Sequence, residues 1–483
     1  MTLGSVQIDR VAGSLIGLAA GDALGAGYEF GPPTTEVPEM KGGGPFGWEP
    51  GEWTDDTSMA VCIAEVAAAG EVDATKVAAR FLDWFGGHPP DVGNQTRAVL
   101  AAASGASDVA SRAVAYFRAH PKGAAGNGSL MRTGPVALAH LGHDAALAAA
   151  AREVSQLTHA DPIAGDACVL WCVAIDRAVR AGRLDGIHDG IGLLPADRQE
   201  FWKARIGEAE LELPRKFARN GYVVTALQAA HASVFHTPIP ADMPCLHLQY
   251  ALHRAVQIGD DTDTVAAITG ALLGARWGLT AIPTRWVTML HGWPGLHAAD
   301  LARLAVLSAR GGASDGAGWP SGSSLLQYYS THYRPDPVIV ALSDDPGVQI
   351  GNVAALPSLA AEPPDVVVSL CRIGTSDLPP GTEGCQLMLI DQPGDEHNPN
   401  LDFMLHDIAG QIVAWRPAGK TVFVHCVMSE SRTPTVAAAY LAERLGIGGT
   451  EALERIRATL PLAHPNAGFV DSLERIWPEA ARD

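Results

Sequence analysis

The sequence lacks the features that would place the chain in a membrane or in an oxidising compartment. No apolar run of roughly 18 residues is free of charge, so we expect no transmembrane helix. No basic segment precedes the apolar patch near the N-terminus, which argues against a secretory signal peptide. The seven cysteines are odd in number and scattered. This pattern favours a reducing, cytoplasmic location over a disulfide framework.

Basic residues are scarce relative to acidic ones. The chain has 34 Lys and Arg against 53 Asp and Glu, and its formal net charge is −19 at pH 7. Such a charge argues against broad binding to nucleic acid or to an anionic membrane surface. It does not exclude a small phosphorylated substrate, because a local site can be positive within an acidic protein.

The 483 residues divide into two stretches of different texture. Residues 1–310 contain Ala-rich segments with helical spacing of apolar positions, such as "DATKVAARFLDWF", and few strand-like runs. Residues 336–483 contain the β-branched runs "PVIVAL", "DVVVSL", "CQLMLI" and "TVFVHC", which indicate buried strands of a small α/β sheet. Residues 311–335 begin rich in Gly and Ser. We therefore predict a multidomain chain, with an all-α domain, a linker and an α/β domain over these three ranges.

Two motifs of the helical part place doubled acids and threonine at the start of an apolar helix. One is "EWTDDTSMA", with Asp55 and Asp56, and the other begins "IGDDTDTVAA", with Asp261 and Asp263. Asp and Thr are ordinary N-caps, but doubled carboxylates repel each other and a cation would remove that conflict. Carboxylate and hydroxyl oxygens suit Mg²⁺ or Mn²⁺ rather than Zn²⁺. The motifs lie far apart in the chain, so their proximity is an assumption.

Two further polar motifs, "GDALGAGYEF" and "GNGSLMRTGPVAL", complete a set of four. With all four in this order over residues 8–280, the chain resembles the ADP-ribosylglycohydrolase family, which includes the dinitrogenase reductase-activating glycohydrolase. The resemblance implies an all-α fold that holds two divalent ions between helix ends. The implied metal ligands are Thr54, Asp55, Asp56, Asp261, Asp263 and Thr264. Asp260 is an additional acid that either supports these ligands or caps the helix.

The resemblance also implies hydrolysis of a glycosidic bond to ADP-ribose. Two Mg²⁺ or Mn²⁺ ions can orient the ribose hydroxyls and activate water, and a nearby carboxylate can act as base or acid. In the family's pattern Glu29 and Asp91 reach the ligand, and we predict both as catalytic. Without the resemblance, Glu29 is equally well explained as an exposed helix-end carboxylate, and Asp91 as a cap.

The glycine-rich loop is predicted to hold the diphosphate of the substrate. Around Asn127, Gly128 and Ser129, glycines let the backbone approach a phosphate and a helix start supplies N–H donors. Such a loop alone is usually only a turn. The resemblance further places His159 and Tyr222 near the substrate, although each taken alone would be assigned a packing or capping role. The implied partner is an ADP-ribosylated protein or an ADP-ribose-containing small molecule.

Near the C-terminus, "TVFVHCVMSESRTPT" joins a predicted strand to a predicted helix through a loop. Backbone N–H groups in such a loop form an anion-binding nest that the helix dipole reinforces. This environment favours a nucleophilic thiolate at Cys426. Arg432 can bind two phosphoryl oxygens, and Thr433 can donate a hydrogen bond to the thiolate.

The spacing of this motif resembles the signature of the protein tyrosine and dual-specificity phosphatases, over residues 337–480. The resemblance implies that Cys426 accepts the phosphoryl group of a phosphorylated substrate, that Arg432 stabilises it, and that an upstream Asp protonates the leaving oxygen. We predict Asp391 for that role, with Asp395 as the alternative. Ser429 stands at a substrate-binding position where the family has Gly, and Glu430 adds negative charge beside it. These departures bear on rate and substrate range.

The sequence therefore predicts a cytoplasmic hydrolase with two activities, metal-dependent removal of ADP-ribose and cysteine-dependent hydrolysis of phosphomonoesters. The two domains would reverse two modifications of one target, or process one phosphorylated ADP-ribose compound in sequence. Two other classes stay open. The α/β domain would be a non-catalytic module that reads a phosphorylated partner and delivers the glycohydrolase, or the helical domain would be a sensor that only binds ADP-ribose. A purely structural Cys426 is the simplest alternative for its loop.

Overall fold

The computed structural model describes residues 2–322 and 324–479. The chain forms two compact units. The first contains the chain through Ile282 together with Met289–Ala313, and the second contains Pro283–Thr288 and the chain from Ser314 onward. Within the two described ranges, every helix is too short or too polar to cross a membrane.

The first unit is helical apart from one short antiparallel ribbon, β1 (His291–Gly292) and β2 (Leu296–His297). The helices through residue 309 are α1 (Ser5–Ala26), α2 (Asp55–Ala68), α3 (Ala74–Gly86), α4 (Asn94–Ala102), α5 (Val109–Ala119), α6 (Gly134–Ala139), α7 (Asp144–Gln156), α8 (Pro162–Ala181), α9 (Ile187–Gly190), α10 (Ala196–Leu211), α11 (Val223–Phe235), α12 (His247–Val256), α13 (Thr262–Trp277), α14 (Thr284–Met289) and α15 (Ala298–Ala309). Helix α14 belongs to the second unit except for its last residue, Met289.

Helices α1 and α13 approach each other closely because glycines line their contact. A Cβ added at Gly17 would lie 2.4 Å from the carbonyl oxygen of Gly270, and one at Gly25 would lie 2.4 Å from Cα of Asp263. Gly13 and Gly21, each four residues from Gly17, are blocked in the same way. Residues four apart share a helix face, so this face of α1 has no room for side chains. The pairing brings the C-terminal end of α1 to the start of α13.

The second unit is an α/β structure around a five-stranded sheet with the order β3-β4-β7-β5-β6. Strand β3 runs antiparallel to β4, and the pairs β4–β7, β7–β5 and β5–β6 are parallel. The strands are β3 (Ile339–Leu342), β4 (Asp345–Asn352), β5 (Val366–Ser369), β6 (Glu383–Gln386) and β7 (Val422–Cys426). The helices are α16 (Leu326–His332), α17 (Leu401–Trp415), α18 (Arg432–Leu445), α19 (Gly449–Thr459) and α20 (Ala467–Ile476).

Strand β7 lies in the middle of this sheet and is buried on both faces. Val422 and Val424 pack into one hydrophobic cluster, and Phe423 packs into another on the opposite face. Side chains from helices or loops that cover the sheet complete both clusters. The carboxyl end of such a central parallel strand is where an α/β sheet commonly places its ligand.

The segment predicted as a linker, 311–335, differs from a simple spacer. Its second half forms α16, and Leu325 and Tyr329 are buried in the same cluster as Phe423. The Asp315 carboxylate accepts hydrogen bonds from the backbone N–H groups of Ala317 and Trp319. Apolar and aromatic side chains that follow the Gly- and Ser-rich stretch thus give the segment a core to pack against.

Strands were predicted well where the sequence is β-branched and poorly elsewhere. Strand β4, "DPGVQIGN", was missed because Asp, Pro, Gly and Asn are depleted in strands. The run "CQLMLI" was predicted as a strand through Ile390, but β6 ends at Gln386. Asp391 therefore follows an irregular segment and not the strand itself, and Leu389 of that segment is buried.

Candidate active sites

In the first unit, polar side chains meet where α1 ends and α2 begins. Thr54 is the N-cap residue of α2, and its backbone N–H donates to the Asp22 carboxylate of α1 at 3.0 Å. The Thr57 backbone N–H and hydroxyl also donate to Asp22, at 2.9 and 2.6 Å. A carboxylate from a different helix therefore satisfies the unpaired N–H groups at the start of α2.

The start of α13 reaches the same place. The Thr264 hydroxyl donates to Asp56 Oδ2 at 3.3 Å, and the Thr54 hydroxyl donates to the same oxygen at 3.2 Å. The two acidic motifs, whose proximity was an assumption in the sequence, are thus in direct contact. Helix–helix pairing of α1 with α13, and the Asp22 bridge to α2, together position them.

The carboxylates form two groups that share one member. Asp22, Asp56 and Asp263 each place one oxygen within 4.8 Å of the other two, and so do Glu29, Asp261 and Asp263. Asp55 lies beside these groups, where its carboxyl interacts with that of Asp91. Two adjoining groups of oxygen ligands can hold two cations with Asp263 between them.

The electrostatics of the carboxylate cluster show why a cation fits it. Burial, followed by repulsion from neighbouring carboxylates, raises the pKa of Asp55, Asp56 and Asp263 well above the ordinary range. The same causes raise the pKa of Glu29 to about 9. In the described part of the chain, Asp56 Oδ1 and Glu29 Oε2 are buried without a hydrogen-bond partner. Such atoms are costly unless a cation or solvent satisfies them. The oxygen-only donor set suits Mg²⁺ or Mn²⁺.

Asp91 lies at the edge of this cluster, shortly before α4. Burial and then the nearby Asp261 carboxylate raise its pKa to about 6. Gly93, not Asp91, is the N-cap residue of α4. The capping role that the sequence left open for Asp91 is therefore taken by Gly93. The Asp91 carboxyl instead interacts with those of Asp55 and Asp261.

The glycine-rich loop joins the acidic cluster through Asn127. Its side-chain amide donates to Asp261 Oδ2 at 2.7 Å. Residues Asn127–Ser129 form one 3₁₀ turn, and Gly126 pairs with Tyr222 in an antiparallel bridge. Tyr222 has an exposed fraction of 46%. The structure thus brings loop, tyrosine and acids together.

Ser129 and His159 lie behind the loop and not on its open side. Each has an exposed fraction of 2%. Ser129 Oγ accepts a hydrogen bond from the Ser155 hydroxyl at 2.9 Å, and His159 Nδ1 lies 2.8 Å from the Thr158 hydroxyl oxygen. A Cβ at Gly128 would lie 3.0 Å from the His159 ring. Both residues thus pack behind the loop, and His159 Nε2 lies on the loop side, 3.3 Å from where a Cβ at Gly126 or Gly128 would be. Their role in binding substrate stays a prediction.

Asp260 performs a structural task beside the cluster. Its φ is +67°, its carbonyl oxygen accepts a hydrogen bond from Phe30, and its carboxylate accepts one from the Asn220 N–H at 3.0 Å. Asp residues tolerate this left-handed conformation better than most. The N-cap residue of α13 is Asp261 and not Asp260, and the contacts of Asp260 instead support the turn ahead of that helix.

Sequence reasoning missed two buried charges of this site, Asp22 and Arg132. Both have an exposed fraction of 0%. Arg132 donates to the Thr158 hydroxyl at 2.6 Å and lies over the Phe81 ring. The available signal for Asp22 was a single charge within the otherwise apolar stretch "GLAAGDALGAG". Such a residue is expected to be buried, and a fully buried charge almost always has a partner.

In the second unit, Cys426 is the last residue of β7 and is buried. The loop after it curls back so that the Ser429 N–H donates to Cys426 Sγ at 3.3 Å. Helix α18 then begins at Arg432. The thiol therefore accepts a backbone N–H of a loop that leads into a helix, an arrangement that favours an anion.

Arg432 and Asp391 are both held at this loop. Arg432 Nη1 donates to the carbonyl oxygens of Leu370 and Leu389, at 2.7 and 3.3 Å. Its Nε lies 3.7 Å from Asp391 Oδ2. Asp391 Oδ1 accepts a hydrogen bond from the Ser431 hydroxyl at 2.6 Å. Asp395, the alternative acid, interacts electrostatically with Arg475 of α20 instead.

The Thr433 hydroxyl has a different partner from the one predicted, and Ser429 has an unusual backbone conformation. The Thr433 hydroxyl donates to the Gly351 carbonyl at 3.3 Å, where we expected it to donate to the thiolate. Ser429 has a φ of +65°, and its buried hydroxyl has no hydrogen-bond partner in the described residues. A glycine would adopt this backbone conformation without strain. Ser429, which departs from the Gly of the phosphatase pattern, therefore lowers the stability of this loop.

Asn466 was missed by sequence reasoning. Its side-chain amide donates to Asp391 Oδ1 at 3.2 Å, and its backbone N–H donates to the Ser431 hydroxyl at 3.3 Å. Asn466 is also the N-cap residue of α20. The sequence signal, an Asn ahead of a helix in "HPNAGF", reads as a cap alone, because only the fold places it beside the candidate acid.

Comparison with known families agrees with this division into two parts. The family model "ADP-ribosylglycohydrolase" matches residues 4–314. The model "Dual specificity phosphatase, catalytic domain" matches residues 381–476.

Individual relatives match the first part of the chain. ADP-ribosylarginine hydrolase Tri1 of Serratia proteamaculans is 30% identical over 59% of this chain and 76% of its own length. ADP-ribosyl-[dinitrogen reductase] glycohydrolase of Rhodospirillum rubrum is 30% identical over 58% of this chain and 90% of its own. A solved ADP-ribosylglycohydrolase-related protein complex has a TM-score of 0.50 at 30% identity, and the match covers 64% of this chain and 99% of that one.

Proposed function

Because the chain belongs to the ADP-ribosylglycohydrolase family, we propose that its first unit hydrolyses the glycosidic bond between ADP-ribose and a modified target, with two Mg²⁺ or Mn²⁺ ions as cofactors. The observation that carries the proposal is the pair of carboxylate groups that share Asp263. The ligands would be the six predicted residues together with Asp22. When bound, the ions supply Lewis acidity and activate water.

The remaining residues of the site would bind and orient the substrate. Asn127 holds the glycine-rich loop against Asp261, so that the N–H groups of the loop face the diphosphate. Tyr222, half exposed beside Gly126, offers a ring and a hydroxyl to the ligand. Glu29 and Asp91, at the edge of the acidic cluster, would accept or donate the proton that glycosidic cleavage requires.

The arginine-linked modification is the substrate class to test first. Two of the relatives, from Serratia proteamaculans and Pseudomonas putida, are ADP-ribosylarginine hydrolases. In such a reaction water adds to the anomeric carbon of ribose, the bond to the guanidino nitrogen breaks, and that nitrogen leaves with a proton. The products are free ADP-ribose and unmodified arginine.

The test measures ADP-ribose released from an ADP-ribosylarginine peptide by the full chain with Mg²⁺. We expect Asp56→Asn to abolish release, because that carboxylate contacts both helix starts. Asp260→Asn is the matched control from the adjacent acidic motif, and it should retain activity because Asn still accepts the Asn220 N–H. Retention of ADP-ribose by a protein that releases none, with or without metal, would refute hydrolysis and identify a sensor.

We further propose that the second unit hydrolyses phosphomonoesters. The Cys426 thiolate would attack phosphorus, the bond to the leaving oxygen would break, and Asp391 would protonate that oxygen. Water would then cleave the S–P bond and release phosphate. Asp391, held by Ser431 at the mouth of the loop, is the observation that favours catalysis over phosphate reading.

Hydrolysis of an aryl phosphate by the full chain and by Cys426→Ser tests this second activity. Activity in the wild type that Cys426→Ser abolishes supports the proposal. A phosphate-reading module would instead leave both proteins inactive while both bind a phosphorylated peptide, and Arg432→Ala would abolish that binding. This outcome would overturn the phosphatase proposal without affecting the first activity.

A further inference from the structure

Three metal-ligating side chains meet outside both sites, in the first unit. They are His188 of α9, Glu210 of α10 and His231 of α11, and each places one ligand atom within 4.8 Å of the other two. His188 Nε2 lies 2.8 Å from Glu210 Oε1, and His231 Nε2 lies 3.0 Å from the same oxygen. The residues come from three separate helices, so their convergence is not a consequence of spacing within one helix.

The two rings present equivalent atoms to the carboxylate. Each directs Nε2 at Glu210 Oε1, and with metal bound at Nε2 each neutral ring would carry its proton on Nδ1.

Burial gives the cluster a closed side and an open side. The His231 side chain has an exposed fraction of 4%, and the His188 side chain one of 45%. His231 therefore fixes one ligand on α11, while the exposed imidazole of His188 can adjust to the short ligand spacing of a metal. The open side leaves room for water as a fourth ligand.

We propose that His188, Glu210 and His231 bind one Zn²⁺ ion. Two imidazoles and a carboxylate are a known three-residue zinc ligand set, in which water commonly supplies the fourth position. The acidic cluster of the first site offers only oxygen ligands, which favour Mg²⁺ or Mn²⁺. One unit would thus hold metals at two places, chosen by ligand chemistry, and the zinc would link α9, α10 and α11.

The test is zinc binding by the full chain, measured by competition with a chromophoric chelator. Excess Mg²⁺ is present throughout to occupy the oxygen ligands of the first site. The variants are His188→Asn, at an exposed position where folding should not depend on the ring, and Glu210→Gln. His120→Asn removes an exposed histidine elsewhere in the same unit and is the control.

We expect the wild type and His120→Asn to bind one more equivalent of Zn²⁺ than either cluster variant. Zn²⁺ should raise the unfolding temperature of the wild type and of the control, and not that of His188→Asn. Co²⁺ in place of Zn²⁺ should give the visible absorption of a four-coordinate site only when the cluster is intact. Equal zinc stoichiometry in the wild type and His188→Asn would overturn the proposal, and would leave these residues as a hydrogen-bonded cluster only.

Discussion

Both candidate sites are built at the N-termini of helices, but the ligands they would bind carry opposite charges. In the first unit, helices α2 and α13 begin with the protein's own carboxylates, Asp55, Asp56 and Asp263 among them. In the second unit, α18 follows a loop in which the Ser429 N–H donates to a thiol. A helix N-terminus favours negative charge in both cases. We infer that the first site, where side chains supply that charge in excess, takes up cations, and that the second site, where they do not, accepts an anion from solution.

The largest expected effect separates the two sites by metal removal. A strong chelator should lower ADP-ribose release by at least about a hundredfold, since bound metal contributes several kcal/mol to such reactions. Hydrolysis of an aryl phosphate by the same sample should be unchanged, because a cysteine nucleophile needs no metal. Added Mg²⁺ or Mn²⁺ should restore release. Loss of both activities on chelation would contradict this division of chemistry.

The next effect concerns how the first site is assembled. Gly17→Ala should destabilise the first unit by about 1–3 kcal/mol, because the added methyl group overpacks the contact between the backbones of α1 and α13. Its new Cβ would meet the Gly270 carbonyl oxygen at 2.4 Å. ADP-ribose release should fall as well, because the α1–α13 pairing positions Asp22 beside Asp263. Denaturant unfolding followed by tryptophan fluorescence measures the stability change.

Gly207→Ala is the matched control for this prediction. Gly207 lies within α10, and a Cβ there meets nothing within 4 Å. Alanine in such a position should stabilise the helix by about 0.5–1 kcal/mol. If the two substitutions had the same effect on stability, close backbone approach would not be what joins α1 to α13.

A smaller effect tests which acid serves the second site. Asp391→Asn should slow hydrolysis of a phosphate ester with a poor leaving group by about a hundredfold, the usual range for loss of a general acid. Activated aryl phosphates should be affected less, since their leaving groups need no proton. Asp395→Asn is the matched control and should change neither rate. A loss confined to Asp395→Asn would assign the acid to Asp395.

The sequence predicted the architecture because its signals were local. Helical spacing, β-branched runs and the spacing from Cys426 to Arg432 are readable within a single element, and the two family resemblances rest on such motifs. The α/β fold of the second part and the helical fold of the first are confirmed by the matched family models. Strand β4 escaped prediction because its residues favour strands only through the neighbours they pair with.

Side-chain direction could not be predicted in the same way. Ser129 and His159 belong to the predicted segments, but their burial depends on the hydroxyls of Ser155 and Thr158, which pack behind the loop. Asp22 and Asn466 join the sites through contacts with residues distant in sequence, Thr54 and Asp391. Motif reading finds the elements that form a site, while three-dimensional packing selects the atoms that face it.

The smallest effect concerns Ser429, which stands where the resemblance to the phosphatase signature implies Gly. Ser429→Gly should raise the free energy of unfolding of the second unit by about 1 kcal/mol, because it relieves a left-handed backbone and removes a buried, unpaired hydroxyl. The rate of aryl phosphate hydrolysis should rise too, since glycine lets the loop close around phosphate without strain. Ser429→Ala separates the two causes, because it removes the hydroxyl and keeps the Cβ. A gain with Gly and none with Ala identifies the backbone as the cause, and equal gains identify the hydroxyl. A loss of stability with Gly would mean that Ser429 is not strained, and that this loop tolerates a side chain where the family has none.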